Sequence, residues 1–288
     1  MLQLSERSMG WIKSQTRFSF QDREKFFRYF FLGVDFEKVN VSIFDIQDTD
    51  IKTENKKINI MLCVENCNYW RHYEHFNKHG SYGNDAIKIY FYNHIDKCVF
   101  TEKYAAIPVI YTQLTYFKAF YDSIIPRPLS CPKNFCLIAT SITNEAKQKV
   151  ISKLSKLGEC HMLETYKTLV GDKSCYHSQE LINLFNRFKF VFVSENSFQA
   201  GYITEKIFNC LFARTVPIYL GAPDISRYFN TERFIEVKTD DDMEKVRILD
   251  RDASLYQKCI ESRILNNYDD ENYLEKLNAF IHANGSLE

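Results

Sequence analysis

The most ordered alternation of apolar and polar segments lies between residues 190 and 221. Phe190-Val191-Phe192-Val193 is a short unbroken apolar run, the pattern of a strand buried on both faces, as in a parallel sheet. A polar loop from Ser194 to Ser197 follows, then Gln199-Ala200-Gly201-Tyr202, where Gly201 supplies backbone freedom for a turn. Thr204 reads as a helix N-cap, with Glu205 and Lys206 in the first turn. Ile207, Phe208, Leu211 and Phe212 recur at helical spacing and predict one apolar face. Residues 216–220 form a second buried strand, broken by Gly221-Ala222-Pro223.

The same reading assigns strands to residues 39–46, 58–64, 86–92, 135–140, 159–163 and 234–237. Helical spacing covers 22–32, 145–157 with Asn144 as cap, 179–187, 252–266 and 272–283, and Asp224 is read as the cap of a turn at 225–229. Strands alternating with helices predict an α/β fold with parallel sheets. The segment 122–132 carries Pro126, Pro128 and Pro132, which stop both helix and sheet. A boundary there gives two domains, 1–125 and 126–288, which the 288-residue length accommodates.

Composition narrows the function classes. Lysine plus arginine equals aspartate plus glutamate at 37 each, and no basic stripe is present, which argues against a nucleic-acid surface. No apolar run approaches the ~20 residues that span a bilayer, and the N-terminal stretch lacks the apolar core of a secretory signal. The nine cysteines are odd in number and form no CxxC, which fits a reduced chain without a disulfide framework. Together these predict a cytoplasmic protein, or one of the Golgi lumen if an anchor has been removed.

The loop after residues 190–193 sits where open α/β sheets bind ligands, at the carboxyl end of a parallel strand. Backbone N–H groups at the following helix start attract anions, and Lys206 adds a full charge, which points to a diphosphate. Neither GxGxxG nor GxxxxGK[ST] occurs, so this is not an ordinary dinucleotide fold or a Walker loop. Two patterns suggest metal ligands. His72, His75 and His79 share one face if that segment is helical, and Asp240-Asp241-Asp242 precedes a helix. A solvated helix face and dipole-favoured acids in a first turn account for both, so no metal is assigned.

The run FVFVSENSFQAGYITEKIF…VPIYLG at 190–221 resembles the donor-binding motif of the α1,3/4-fucosyltransferases, F-x-x-x-F-E-N-S…Y-[IV]-T-E-K…[IV]-P-[IV]-x-x-G. The resemblance implies an inverting enzyme using GDP-fucose, with two Rossmann-like domains facing across a cleft, the GT-B arrangement. In such folds the terminal helices often reach back to the first domain. Val64-Glu65-Asn66 is similar to the family's Gly-Glu-Asn, without the glycine, and implies Glu65 as general base. Residues 104–111 are similar to the family's Y-x-x-x-P-x-x-Y stretch. Lys147 stands where the family has a diphosphate-binding arginine, so it keeps the charge and loses the bidentate fork. The implied donor site comprises Lys147, Glu195, Asn196, Tyr202, Thr204, Glu205 and Lys206. Glu205 is also a catalytic candidate, holding a ribose hydroxyl or facing the cation-like sugar.

With lysines and backbone dipoles carrying the leaving-group charge, no cofactor is required, and Mg2+ or Mn2+ would act as a stimulant. The expected partners are GDP-fucose and an oligosaccharide acceptor, with α1,3 linkage to an N-acetylglucosamine-type sugar. Two alternatives stay open: transfer of another GDP-sugar, and a degenerate relative that binds glycan or nucleotide without turnover.

Overall fold

The structure, a computed structural model, describes residues 31–34, 41–45, 58–63, 87–92, 97–128, 132–166, 178–239, 241–267 and 272–284. The chain divides into two units, Met1–Tyr116 with Asp269–Glu288, and Phe117–Tyr268. Each is α/β and built on its own five-stranded sheet.

In the first unit the strands are β1 (Val41–Asp45), β2 (Ile58–Cys63), β3 (Ile87–Tyr92), β4 (Val99–Phe100) and β5 (Tyr104–Pro108). Their spatial order is β1-β2-β3-β5-β4, parallel except for β4, which runs antiparallel to β5. The strands expected near 39–46, 58–64 and 86–92 are present. The 104–111 stretch, to which sequence reading gave no element, is β5 leading directly into helix α1 (Val109–Phe120). Ile58, Ile60, Ile89, Phe91 and Ile107 are buried and form its core. The C-terminal helix of the chain (Tyr273–Asn284) belongs to this unit, where Tyr273 lies ring to ring with Tyr111 at 5.6 Å. Glu65, His72, His75 and His79, and most of the helix expected at 22–32, fall outside the described residues.

The second unit contains β6 (Asn134–Ile138), α2 (Glu145–Leu157), β7 (Cys160–Met162), α3 (Gln179–Asn186), β8 (Phe188–Ser194), α4 (Glu205–Phe212), β9 (Val216–Leu220), β10 (Ile235–Glu236), α5 (Asp242–Arg251) and α6 (Ala253–Glu261). All strands are parallel, in the order β10-β9-β8-β6-β7. Alternate residues serve the two faces of the sheet. Cys136, Ile138, Phe190, Phe192, Val216 and Ile218 pack in one cluster with Val150 and Leu154 of α2, Met243 and Val246 of α5, and Cys259 of α6. Leu137, Val191 and Val193 are equally buried, on the alternate positions, as are Leu181, Ile182, Phe208 and Leu211 of α3 and α4. Burial on both faces explains why β8 reads as an uninterrupted apolar run.

One expected helix is shortened for a visible reason. Sequence periodicity runs from 252 to 266, but α6 ends at Glu261. Beyond it the backbone is claimed by the 228–230 segment: Asn230 N–H donates to the Ile264 carbonyl at 2.9 Å and Asn266 N–H to the Tyr228 carbonyl at 2.9 Å. Tertiary hydrogen bonds take the place of helical ones at Ile264 and Asn266. Asp252 and Asn144 do cap their helices, accepting from Leu255 N–H at 3.0 Å and Lys147 N–H at 3.0 Å. Among the described residues no helix is long and apolar enough to cross a membrane.

Leu154 is fully buried at the centre of the α2 face. Leu154→Ala should lower unfolding stability by about 2–5 kcal/mol, the range for an apolar truncation that leaves a cavity, measured by urea denaturation.

Candidate active site

The strand order of the second unit fixes where a ligand can enter. Numbered along the unit, the five strands run 2-1-3-4-5, so the chain reverses direction between β6 and β8. Open α/β sheets bind ligands in the crevice outside the carboxyl ends of strands at such a switch point. The segment after β6 leads to α2 and Lys147, and the segment after β8 is the Glu195–Thr204 loop leading to α4 and Lys206. Residues 59 positions apart in sequence thus follow the carboxyl ends of two neighbouring strands.

The loop is organised from within by Glu195, whose surface is entirely buried. Its backbone N–H extends the β8–β9 pairing by donating to the Leu220 carbonyl at 2.9 Å. Its carboxylate then receives three hydrogen bonds: Thr204 N–H to Oε1 at 2.9 Å, the Thr204 hydroxyl to Oε2 at 2.7 Å, and Lys206 Nζ to Oε2 at 3.0 Å. Lys206 Nζ also donates to Thr204 Oγ1 at 2.9 Å. A buried carboxylate is tolerable only with such satisfaction. Thr204 occupies the N-cap position as the sequence predicts, with φ −114° and ψ −174°, but its side chain does not cap the helix. The hydroxyl is diverted to Glu195, and one N–H at the helix start is also taken by that carboxylate.

Two close approaches make the loop possible. Gly201 has φ +77°, the left-handed region where a side chain is strained. Its N–H donates to both carboxylate oxygens of Asp224, at 2.9 and 3.1 Å. Asp224, expected as a helix cap, makes no capping bond and pins the loop instead; the turn it precedes is a short 3-10 helix, Ile225–Arg227. Gly221 is more than a strand breaker. A Cβ there would lie 2.6 Å from Glu195 Cγ and would also strike the Tyr219 hydroxyl. That hydroxyl accepts from Ala222 N–H at 3.1 Å. Tyr219, Gly221 and Asp224 are thus parts of the site that sequence reading missed. The pairing of Ser194 with Leu220 places them beside Glu195, and it is a tertiary fact.

The lysines differ in character. For Lys206, burial opposes the charge, but the carboxylates of Glu195 and Glu205, with a smaller contribution from Tyr202, outweigh it and push the pKa up. It is therefore a permanent ammonium. Of its three N–H donors, two are used on Glu195 and Thr204. The third is open to a ligand, and 20% of the side chain reaches solvent. Glu205 stands 3.9 Å from the same ammonium. Burial raises the Glu205 pKa, partly offset by Lys206 and reinforced by Glu195. Lys147 lies on the buried face of α2 together with Val150 and Leu154, with 1% of its surface exposed. Burial and then the charge of Lys206 lower its pKa, against the pull of Glu195. An anion between the two ammonium groups would relieve that repulsion.

Of the expected site residues, the structure brings together Lys147, Glu195, Thr204, Glu205 and Lys206. Tyr202 is 1% exposed and buried beneath the loop, whereas Asn196 is exposed on it. At the other acidic pattern, Asp242 turns inward. It accepts from Lys238 N–H at 2.9 Å, Thr239 N–H at 2.8 Å and Lys245 Nζ at 3.2 Å, and these bonds, against a burial that opposes them, hold its pKa down.

Residues 132–278, about half of the chain, match the family described as Glycosyltransferase family 10 (fucosyltransferase) C-term. Over 102 residues the chain is 28% identical to the alpha-(1,3)-fucosyltransferase FucT of Helicobacter pylori, covering 34% of this chain and 21% of that protein. Over 109 residues it is 32% identical to the 4-galactosyl-N-acetylglucosaminide 3-alpha-L-fucosyltransferase 9 of Mus musculus, covering 37% of this chain and 29% of that protein. The chain thus spans less than a third of the length of these curated relatives. A solved structure of an alpha1,3-fucosyltransferase with GDP-fucose superposes with a TM-score of 0.54 at 17% identity, over 85% of this chain and 77% of that one.

Glu195→Gln keeps the shape and removes the charge that holds Lys206. We expect a loss of about 2–3 kcal/mol in urea denaturation, below the ~3–5 kcal/mol of a fully buried pair because the ammonium is partly solvated. Because the Lys206 pKa is raised on folding, this contribution is complete below the ordinary lysine value of 10.5 and is lost only as pH rises beyond it. The gap between wild type and variant should therefore stay level through neutral pH. Gly221→Ala should be destabilising by roughly 1–3 kcal/mol through overpacking against Glu195, by the same measurement.

Proposed function

Because the chain belongs to glycosyltransferase family 10, the fucosyltransferases, we propose that it transfers fucose from GDP-fucose to a hydroxyl of an oligosaccharide, with inversion at the anomeric carbon. The observation that carries this reading is that Lys147 and Lys206 lie close enough at the switch point of the second sheet for each charge to be felt by the other, with the buried Glu195 carboxylate bonded to Lys206. Two ammonium groups fixed in a crevice at the carboxyl edge suit a diphosphate leaving group. The α1,3 linkage to an N-acetylglucosamine-type acceptor is proposed on the resemblance of the relatives.

In this mechanism the diphosphate lies across Lys147 and the third N–H of Lys206, with the remaining N–H groups of the α4 start behind it. Charge develops on the leaving diphosphate as the sugar bond breaks, and the lysines hold more tightly to that charge than to the ground state. Glu195 keeps Lys206 aimed, so little reorganisation accompanies the reaction. Glu205 accepts a hydrogen bond from a donor hydroxyl or faces the cation-like sugar. Glu65 is assigned as the base that takes the acceptor proton, on the sequence resemblance. The lysines compensate the diphosphate charge in this reading, with Mg2+ or Mn2+ as a stimulant.

Release of GDP from GDP-fucose across a panel of glycan acceptors tests the proposal. Lys206→Ala should weaken GDP binding by on the order of 10- to 100-fold, the worth of one charged hydrogen bond, read by calorimetric titration. Glu65→Gln should lower kcat by roughly 10²–10⁴-fold while sparing GDP affinity. Faster turnover of GDP-mannose would move the assignment to another GDP-sugar, and tight GDP-fucose binding without transfer or hydrolysis would mark a degenerate relative.

A further inference from the structure

At the opposite, amino-terminal end of the second sheet lies a cluster of charge that donor binding does not use. Lys133 immediately precedes β6, Arg214 lies two residues before β9, and Arg233 two before β10. Lys133 Nζ donates to the Arg214 carbonyl at 2.9 Å, and Arg233 Nη1 donates to the carbonyl of the next residue, Thr215, at 3.0 Å. Two cations therefore donate to one two-residue segment, and that segment carries a third, Arg214. Among the described residues, no carboxylate is paired with any of them.

The cost of this arrangement is visible in three ways. Arg233 has no exposed surface, yet its Nε and Nη2 have no hydrogen-bond partner. Buried polar groups are nearly always satisfied, and a buried guanidinium without an acid or full hydrogen bonding is destabilising. Arg214 adds a third unpartnered buried nitrogen, Nη1. It also adopts φ +53°, the single described non-glycine residue in the left-handed region, at a cost of about 1 kcal/mol or more. That conformation is held by Nη2 donating to the Tyr121 carbonyl at 2.9 Å and by the guanidinium lying 3.4 Å over the Tyr121 ring. Burial, with the charge of Arg233, depresses Lys133 to about 8 and Arg214 to about 10. Arg214 and Tyr121 line a cleft of about 630 Å3, with Phe117, Ile260, Ile264 and Leu265 as apolar wall. Asp122 and Glu261 also line it, alongside Lys118 and Arg263.

We propose that this cluster is a second anion site, separate from the donor crevice, in which Arg233, Arg214 and Lys133 bind a tetrahedral oxyanion entering through the Tyr121–Arg214 cleft. A phosphate or sulfate presents several acceptor oxygens to the three unpartnered guanidinium nitrogens and supplies the missing negative charge. The oxyanion is free in solution or is carried on a small sugar ester whose body lies against the apolar wall of the cleft.

The test is thermal denaturation of the whole chain in chloride buffer of fixed ionic strength, with inorganic phosphate in one arm and glucose 6-phosphate in the other. Wild type and Lys206→Ala should both show a saturable rise in Tm, since the site is not the donor crevice. Arg233→Met should be as stable as wild type or more so without phosphate, because it removes a buried unpaired charge, and combined with Lys206→Ala it should abolish the Tm response to either anion. If Arg233→Met does not fold, Arg214→Gln in the same combination should show the same loss of response. A stronger response to glucose 6-phosphate identifies the ester as the source, and an equal one identifies free phosphate. No rise above chloride in either arm, or a rise that Lys206→Ala abolishes and both arginine variants retain, overturns the proposal.

Discussion

The carboxyl edge of the second sheet depends on one buried carboxylate. Glu195 continues β8 through its backbone and closes the following loop through its side chain, accepting from Thr204 twice and from Lys206 once. Removing a carboxylate from water is unfavourable, and here every bond that offsets it is made by a residue the site needs in place. The same group keeps Lys206 charged and oriented. Stability of the loop and the placement of the Lys206 charge are therefore one interaction seen from two sides.

That interaction tightens what surrounds it. Gly221 exists at the point where any side chain would collide with Glu195, and the left-handed Gly201 is fastened to Asp224. Tyr219, fully buried, carries its hydroxyl to Ala222 N–H and fills the space between. Burial, the charge of Glu195 and then that of Asp224 all push the phenol pKa up, so it stays neutral and adds no charge to a crowded acidic region.

The two ends of this sheet treat charge in opposite ways. At the carboxyl end Lys206 is bonded to the Glu195 carboxylate and stands 3.9 Å from that of Glu205. At the amino end, Arg214 and Arg233 are placed against carbonyls, with nitrogens left over. A parallel sheet makes the contrast possible, because all loops that follow strands gather at one edge and all loops that precede them gather at the other.

The amino-acid sequence alone determined the α/β class, the β8-loop-α4-β9 unit, and the placement of Glu205 and Lys206 in the first turn of α4, because these rest on local periodicity and on residues close in the chain. Asn144 was legible as a cap for the same reason, whereas Asp252, read as the first helical residue, is the cap of α6. Tertiary structure decided what local signals do not encode. The 2-1-3-4-5 strand order brought Lys147 to Lys206. Register across β8 and β9 set Gly221 against Glu195 and turned Asp224 from a cap into a loop anchor. Competing hydrogen bonds from residues 228–230 ended α6 where periodicity would have carried it on. No sequence pattern singled out Arg233, and only the packing of the sheet's amino edge left it buried, with no carboxylate partner among the described residues. Side-chain spacing specifies which face an element buries, whereas the identity of the partner on that face depends on contacts between residues far apart in the chain.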